Sequence, residues 1–198
     1  VAAPALGVTH FDQNVTNAVI FGSGNDNGSF TVDDDPPASP LDDKRVEIGL
    51  RGKLRFNDMN QAENTFNSNG DGSYTFQAGN PPTGFGFDPN NPTTPVWNFE
   101  WSVNTNFDGS SGDTLDGFTY EMGLDADPSS GTNFATFDPI NGVNPANGTV
   151  QWDHALGDNS TGNGGGVSIS NGASDAALYA TRLSTLNVAQ NSWSYEFF

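Results

Sequence analysis

A third of this chain is Asn, Asp or Gly, with 24, 19 and 24 of the 198 residues. Asn and Asp fold their side chains back onto nearby backbone N–H groups. Gly takes up left-handed conformations without a steric cost, so all three residues favour turns over regular elements. Good helix formers are scarce, with two Lys, five Glu and two Met. Such a chain is expected to fold as many short extended segments joined by turns. Fifteen Phe, four Tyr and four Trp suit a pleated, half-buried surface and supply a core, which argues for an ordered β protein over a disordered one.

The length suits one domain spanning 1–198, large enough to bury a core without metal or disulfide staples. Six basic residues against 24 acidic ones give a net charge of -18. That balance speaks against nucleic acid and anionic membrane as partners, since both need a cationic footprint. No run approaches the 18 apolar residues of a membrane span. The absence of Cys removes disulfides, thiolate zinc sites and cysteine nucleophiles together. The start, Val1-Ala2-Ala3-Pro4-Ala5, reads as a mature end after removal of a signal peptide, so an extracellular or cell-surface location is expected. Asn-x-Ser/Thr sequons at Asn14, Asn27, Asn147 and Asn159 are what this composition yields by chance.

Alternation of apolar and polar residues marks the strands. Val46 to Phe56 is the clearest, with Val46, Ile48, Leu50, Leu54 and Phe56 on one side and Glu47, Arg51, Lys53 and Arg55 on the other. Five of the six basic residues lie between Lys44 and Arg55. They read either as partners for nearby carboxylates or as a docking stripe. Val96 to Asn104 repeats the pattern with Trp97, Phe99, Trp101 and Val103, and so does Phe118 to Leu124. Shorter strands are expected at Val15 to Phe21 with Ser29 to Val32 as partner, Ser73 to Gln77, Phe134 to Phe137, Thr149 to Trp152 and Ser192 to Phe198. The Asp33 to Asp43 stretch, with five Asp and three Pro, reads as an acidic loop. Only Ser174 to Ser184 looks helical. The expected fold is an all-β sandwich of jelly-roll type with one short helix near the C-terminus.

Two segments echo each other. Asn67-Ser68-Asn69-Gly70-Asp71-Gly72-Ser73 and Asn104-Thr105-Asn106-Phe107-Asp108-Gly109-Ser110 both read Asn-x-Asn-x-Asp-Gly-Ser. Oxygens at alternate positions followed by Gly resemble the first half of an EF-hand loop. The twelfth position, a bidentate Glu in that motif, is Ala78 or Leu115 here, so neither is an EF-hand. The two readings are Asx turns and Ca2+ loops, the latter drawing on Asp113, Asp116, Asp125 or Asp127. A second echo, Phe87-Asp88-Pro89 and Phe137-Asp138-Pro139, reads as structural.

Enzyme signatures are sparse. His10 and His154 are the only histidines, and no nucleophile elbow or phosphate-binding glycine pattern is present. Glu100 and Glu121 fall in neighbouring expected strands and form the one carboxylate pair suited to glycoside cleavage. No catalytic residue is assigned on this basis.

Gly49-Leu50-Arg51-Gly52-Lys53-Leu54-Arg55-Phe56, Asn64-Thr65-Phe66-Asn67-Ser68-Asn69-Gly70-Asp71-Gly72, Trp97-Asn98-Phe99-Glu100-Trp101-Ser102-Val103-Asn104 and Asn187-Val188-Ala189-Gln190-Asn191-Ser192-Trp193 form a pattern. With Phe11-Asp12 and Phe137-Asp138-Pro139-Ile140-Asn141, it resembles uncharacterised secreted proteins bearing the PEP-CTERM sorting signal of environmental Gram-negative bacteria. The resemblance implies export, exosortase processing at a C-terminal tail, and a link to exopolysaccharide and biofilm. This sequence stops at Phe198, where such proteins continue into the tail, so membrane sorting does not follow from it.

Two functions are expected. The first is a non-catalytic secreted or cell-surface matrix component that self-associates through a sheet edge. The second is a Ca2+-dependent carbohydrate-binding module, which stacks polysaccharide on Trp152, Trp193, Tyr179 or Phe107 where these are exposed.

Overall fold

The computed structural model describes residues 8–16, 18–21, 25–34, 45–56, 62–76, 97–125, 127, 129–141, 155–168 and 176–194. Nine strands and one helix lie within them: β1 (Val8–Gln13), β2 (Phe30–Asp34), β3 (Glu47–Phe56), β4 (Ala62–Thr65), β5 (Trp97–Asn104), β6 (Met122–Asp125), β7 (Phe134–Phe137), β8 (Ala155–Gly157), α1 (Ala176–Leu183) and β9 (Val188–Ser194). Seven strands form one antiparallel sheet in the order β1-β2-β3-β5-β9-β8, with β4 beside the far end of β3. The hairpin β6-β7 is a second, small sheet. The protein is therefore all-β with one helix near its C-terminus. A jelly roll has two four-stranded sheets, whereas the described pairings are one large sheet and one hairpin.

Alternation gives the large sheet two unlike faces. In β5 the apolar face carries Trp97, Phe99, Trp101 and Val103, and the polar face carries Asn98, Glu100, Ser102 and Asn104. Trp101 and Val103 pack with Leu115, Ile140, Leu156, Tyr179, Leu183 and Ala189 to form the main core. The covering layer is the hairpin, a 3-10 turn at Leu115–Gly117, and α1. Arg182 sits in the last turn of α1, where it complements the helix dipole.

The polar face is buried as well. Glu47, Arg51, Asn98, Glu100, Ser102, Asn104 and Gln190 are all buried, while Ile48 and Leu50 on the apolar face are 49% and 51% exposed. The stretch formed by residues 14–16, 18–21 and 25–28 explains the inversion. It was expected as a strand over Val15 to Phe21, but Val19, Ile20 and Phe21 take positive φ angles of 71°, 31° and 41°. Val15, Ala18, Val19 and Ile20 are all buried instead of alternating. The segment is an irregular plug across the polar face, and strand pairing passes to β1, which the sequence reading missed.

An irregular buried backbone leaves N–H and C=O groups that need partners. The polar face supplies them. Glu47 Oε1 accepts from Thr16 N and Oγ1 at 2.9 and 2.6 Å. Gln190 donates to Ala18 O at 3.2 Å and accepts from Phe21 N at 3.3 Å. Asn27 acts as a strand mimic, accepting from Val15 N at 3.1 Å and donating to Val15 O at 2.7 Å. Gly49 lets the plug come close, because a Cβ there would sit 2.5 Å from Val15 Cγ1.

Other boundaries shift for local reasons. Strand β6 starts at Met122, not Phe118, because residues 115–117 form the 3-10 turn and Tyr120 Oη returns to Leu115 O at 2.7 Å. Of the strand expected over Ser73 to Gln77, residues 73–76 are not a strand, and Tyr74 makes a single bridge to Ser68; Gln77 lies outside the described residues. Strand β9 begins at Val188, earlier than expected, and β4 was unforeseen. Thr149 to Trp152, most of the acidic loop after Asp34, and Phe87 to Asn90 lie outside the described residues.

Candidate functional site

The two Asn/Asp/Gly loops are closed by their own hydrogen bonds. In the first, Asp71 Oδ1 accepts from Ser73 N and Oγ at 3.0 and 2.6 Å, and Asn69 Nδ2 donates to Ser73 Oγ and Thr75 Oγ1. Asn67 sits at φ 50°, a conformation Asn tolerates. In the second, Asp108 Oδ1 accepts from Ser110 N and Oγ at 2.9 and 2.6 Å, and Asp108 Oδ2 accepts from Arg45 Nε at 2.7 Å. Asn106 Oδ1 accepts from Ser111 N at 3.0 Å. Asn104 Oδ1 accepts from Asn106 N and from Asn187 Nδ2.

The same Asp-x-Ser turn recurs at Asp127 and Asp158, whose carboxylates accept from Ser129 N and Ser160 N. The serine hydrogen bonds hold all four carboxyls below the usual range, helped at Asp108 by Arg45. Asp116 accepts from Thr114 Oγ1 at 2.6 Å, Asp113 N donates to Ser111 Oγ at 3.2 Å, and Asp125 accepts from Asp127 N and Asn133 N. No group of three or more His, Cys, Asp or Glu is gathered for an ion among the described residues.

Of the four proposed sugar platforms, Tyr179 is corrected: it is 4% exposed and donates to Ile140 O at 2.6 Å in the core. Phe107 is half-buried beside the second loop. Trp152 and the side chain of Trp193 lie outside the described residues, though the Trp193 backbone pairs with Phe99. The aromatic surface sequence reasoning missed is a groove on the apolar face. One section, about 470 Å3, lies between Tyr74 and Phe76 on one wall and Met122 to Leu124 on the other, over Leu50, Trp97 and Phe99. Phe76 and Trp97 stack with centroids 5.2 Å apart. A second section, about 340 Å3, continues over Ile48 and Trp101.

The two glutamates do not pair. Glu100 is on the polar face, with Oε2 held by Arg51 at 2.6 Å (Nε) and 2.5 Å (Nη2). Glu121 is exposed and lines the groove on the opposite face. Both glycosidase geometries need the carboxyls to flank one bond, so this pair is excluded.

The densest buried polar chemistry is around Glu100. Arg51 lies between the rings of Phe30 and Phe66, each 4.1 Å from its guanidinium carbon, and its Nη1 donates to Gly28 O at 2.7 Å. Lys53 Nζ is 3.8 Å from Glu100 Oε1 and hydrogen-bonds Asn25 Oδ1. Burial pushes the Arg51 and Lys53 pKa values down, opposed by Glu100. Of the expected cationic stripe, Arg51, Lys53 and Arg45 thus pair with carboxylates. Alternation already put Glu47, Arg51 and Lys53 on one side; what it lacked was a sign that this side is covered.

No protein-family model, no curated protein and no solved structure matches this chain.

Proposed function

We propose that this protein is a non-catalytic, secreted or cell-surface structural component that works by surface contact in an extracellular matrix. The observation that carries the reading is exposed apolar surface on the face of the large sheet, from its edge strand β1 inward to β3. Phe11, Ile48 and Leu50 are 40%, 49% and 51% exposed, and β1 pairs with β2 alone among the described strands. Large apolar residues exposed on the face of a sheet that also ends in a strand paired on one side favour association with a second surface. Sedimentation over a wide concentration range, at low and high salt, tests it. Reversible association that Leu50→Lys weakens is expected. A strict monomer in every condition would reject assembly through copies of this chain.

A second reading is a carbohydrate-binding module, favoured by the stacked Phe76–Trp97 pair in the groove. Aromatic faces receive sugar rings in such grooves, and the Asn-x-Asn-x-Asp-Gly loops would supply Ca2+. Retention on polysaccharide columns that is lost in Trp97→Ala would support it.

A further inference from the structure

The chain has no cysteine, and its most enclosed charged cluster joins an amine, a carboxamide and a carboxylate. Lys53 Nζ donates to Asn25 Oδ1 across 28 residues of sequence. The amine therefore contacts the oxygen bonded to Cγ, the electrophilic carbon of that amide. Asn25 is 8% exposed, and its Nδ2 makes no hydrogen bond, so nothing holds that nitrogen in place. Glu100 is 1% exposed, and its Oε1 faces Lys53 Nζ at 3.8 Å while Arg51 fixes its other oxygen.

We propose that Lys53 and Asn25 become joined by an intramolecular amide bond, which the folded protein forms by itself with Glu100 carrying the protons. Lysine is a good nucleophile only when neutral, and desolvation favours that form. Burial lowers the Lys53 pKa in the required direction, although Glu100 opposes it. Fixed proximity converts a slow bimolecular aminolysis into a unimolecular step.

The atoms balance. Glu100 takes a proton from the Lys53 ammonium. The freed Nζ lone pair bonds to Asn25 Cγ, and the carbonyl π pair moves onto Oδ1. Glu100 delivers its proton to Nδ2 and takes the surplus proton from Nζ. The tetrahedral centre then collapses, the Cγ–Nδ2 bond breaks, and ammonia leaves. It departs as ammonium with the last proton of Glu100, which returns to carboxylate. No oxidant or cofactor is consumed. The roles of the neighbours follow: Arg51 positions Glu100, and its Nη1 bond to Gly28 O holds the segment that carries Asn25.

The test is the intact mass of the purified full chain under denaturing conditions. A value about 17 Da below the sequence mass is expected, the mass of one ammonia. Proteolysis should then yield a branched peptide joining the Asn25 and Lys53 segments. Succinimide formation at an Asn-Gly pair loses the same mass, so Lys53→Arg distinguishes the two: it should restore the full mass. Glu100→Gln, shown to be folded by circular dichroism, should restore it as well with both side chains intact; a deficit that persists in that folded variant would overturn the role of Glu100. Full mass in the unaltered protein, or a deficit that persists in Lys53→Arg, would overturn the proposal. The result is independent of whether the chain assembles.

Discussion

Asp71, Asp108, Asp127 and Asp158 show what a two-residue pattern does. Each is followed two positions later by a serine that donates to it, and each titrates below the ordinary 3.8. A carboxyl lowered in the folded state adds stability above its unfolded pKa, and that contribution is lost as pH falls through the lowered value. The four turns therefore weaken below about pH 3.8. Glu47 has the opposite sign. Burial raises it above 4.5 against the bonds from Thr16, so the unfolded chain ionises first and stability falls as pH rises through that interval. Carboxyl titration by NMR should place the four aspartates below 3.8 and Glu47 above 4.5. A midpoint at 3.8 for any of the four would mean that its turn does not persist in solution.

At the scale of elements, the plug formed by residues 14–16, 18–21 and 25–28 is the unusual part. It is held in place of a ladder by side chains of the sheet, by its own Asn27 and by backbone bonds of Val19 to Thr161 and Gly164, so single side chains matter more than in a strand. Asn27→Ala would leave Val15 N and O without their partner beneath a buried residue. A loss of about 1–3 kcal/mol is expected from chemical denaturation. Asn69→Ala, on an exposed loop, should stay within about 0.5 kcal/mol. Equal effects of the two substitutions would show that the plug is not packed as described. The plug was illegible in the sequence because Val15 to Phe21 has the composition of a strand; only the burial of successive residues betrays it. Strands β3 and β5 were legible because alternation over eight to ten residues matches the pleat whatever covers either face.

Across the whole molecule, a charge of -18 is spread over 198 residues, while Arg45, Arg51 and Lys53 are already engaged with carboxylates. Self-repulsion should therefore dominate the response to salt. The melting temperature is expected to rise between low and physiological ionic strength, as the screening length falls to about 8 Å. Calcium is the informative comparison. A rise with Ca2+ beyond that given by Mg2+ at equal ionic strength, reversed by EDTA, would make the Asn-x-Asn-x-Asp-Gly loops ion sites. At the second loop the ion would have to displace Arg45 from Asp108. A response that depends on ionic strength alone would leave both loops as turns.

The sequence by itself determined the class of the fold, because turn-forming residues and period-two alternation are local properties, set within a few positions. It determined the main apolar core through Trp101 and Val103, and the turns at Asp71 and Asp108, for the same reason; the matching turns at Asp127 and Asp158 emerged from the structure. Which face of the sheet is covered was decided only in three dimensions. Arg51, Lys53 and Glu100 look like solvent-facing residues when each strand is read alone. Arg51 and Glu100 are buried and Lys53 half-buried because a segment from another part of the chain lies over them and needs hydrogen-bonding partners there. The meeting of Lys53, Asn25 and Glu100 is of that kind: three residues far apart in sequence, brought together by strand register and by the path of the plug.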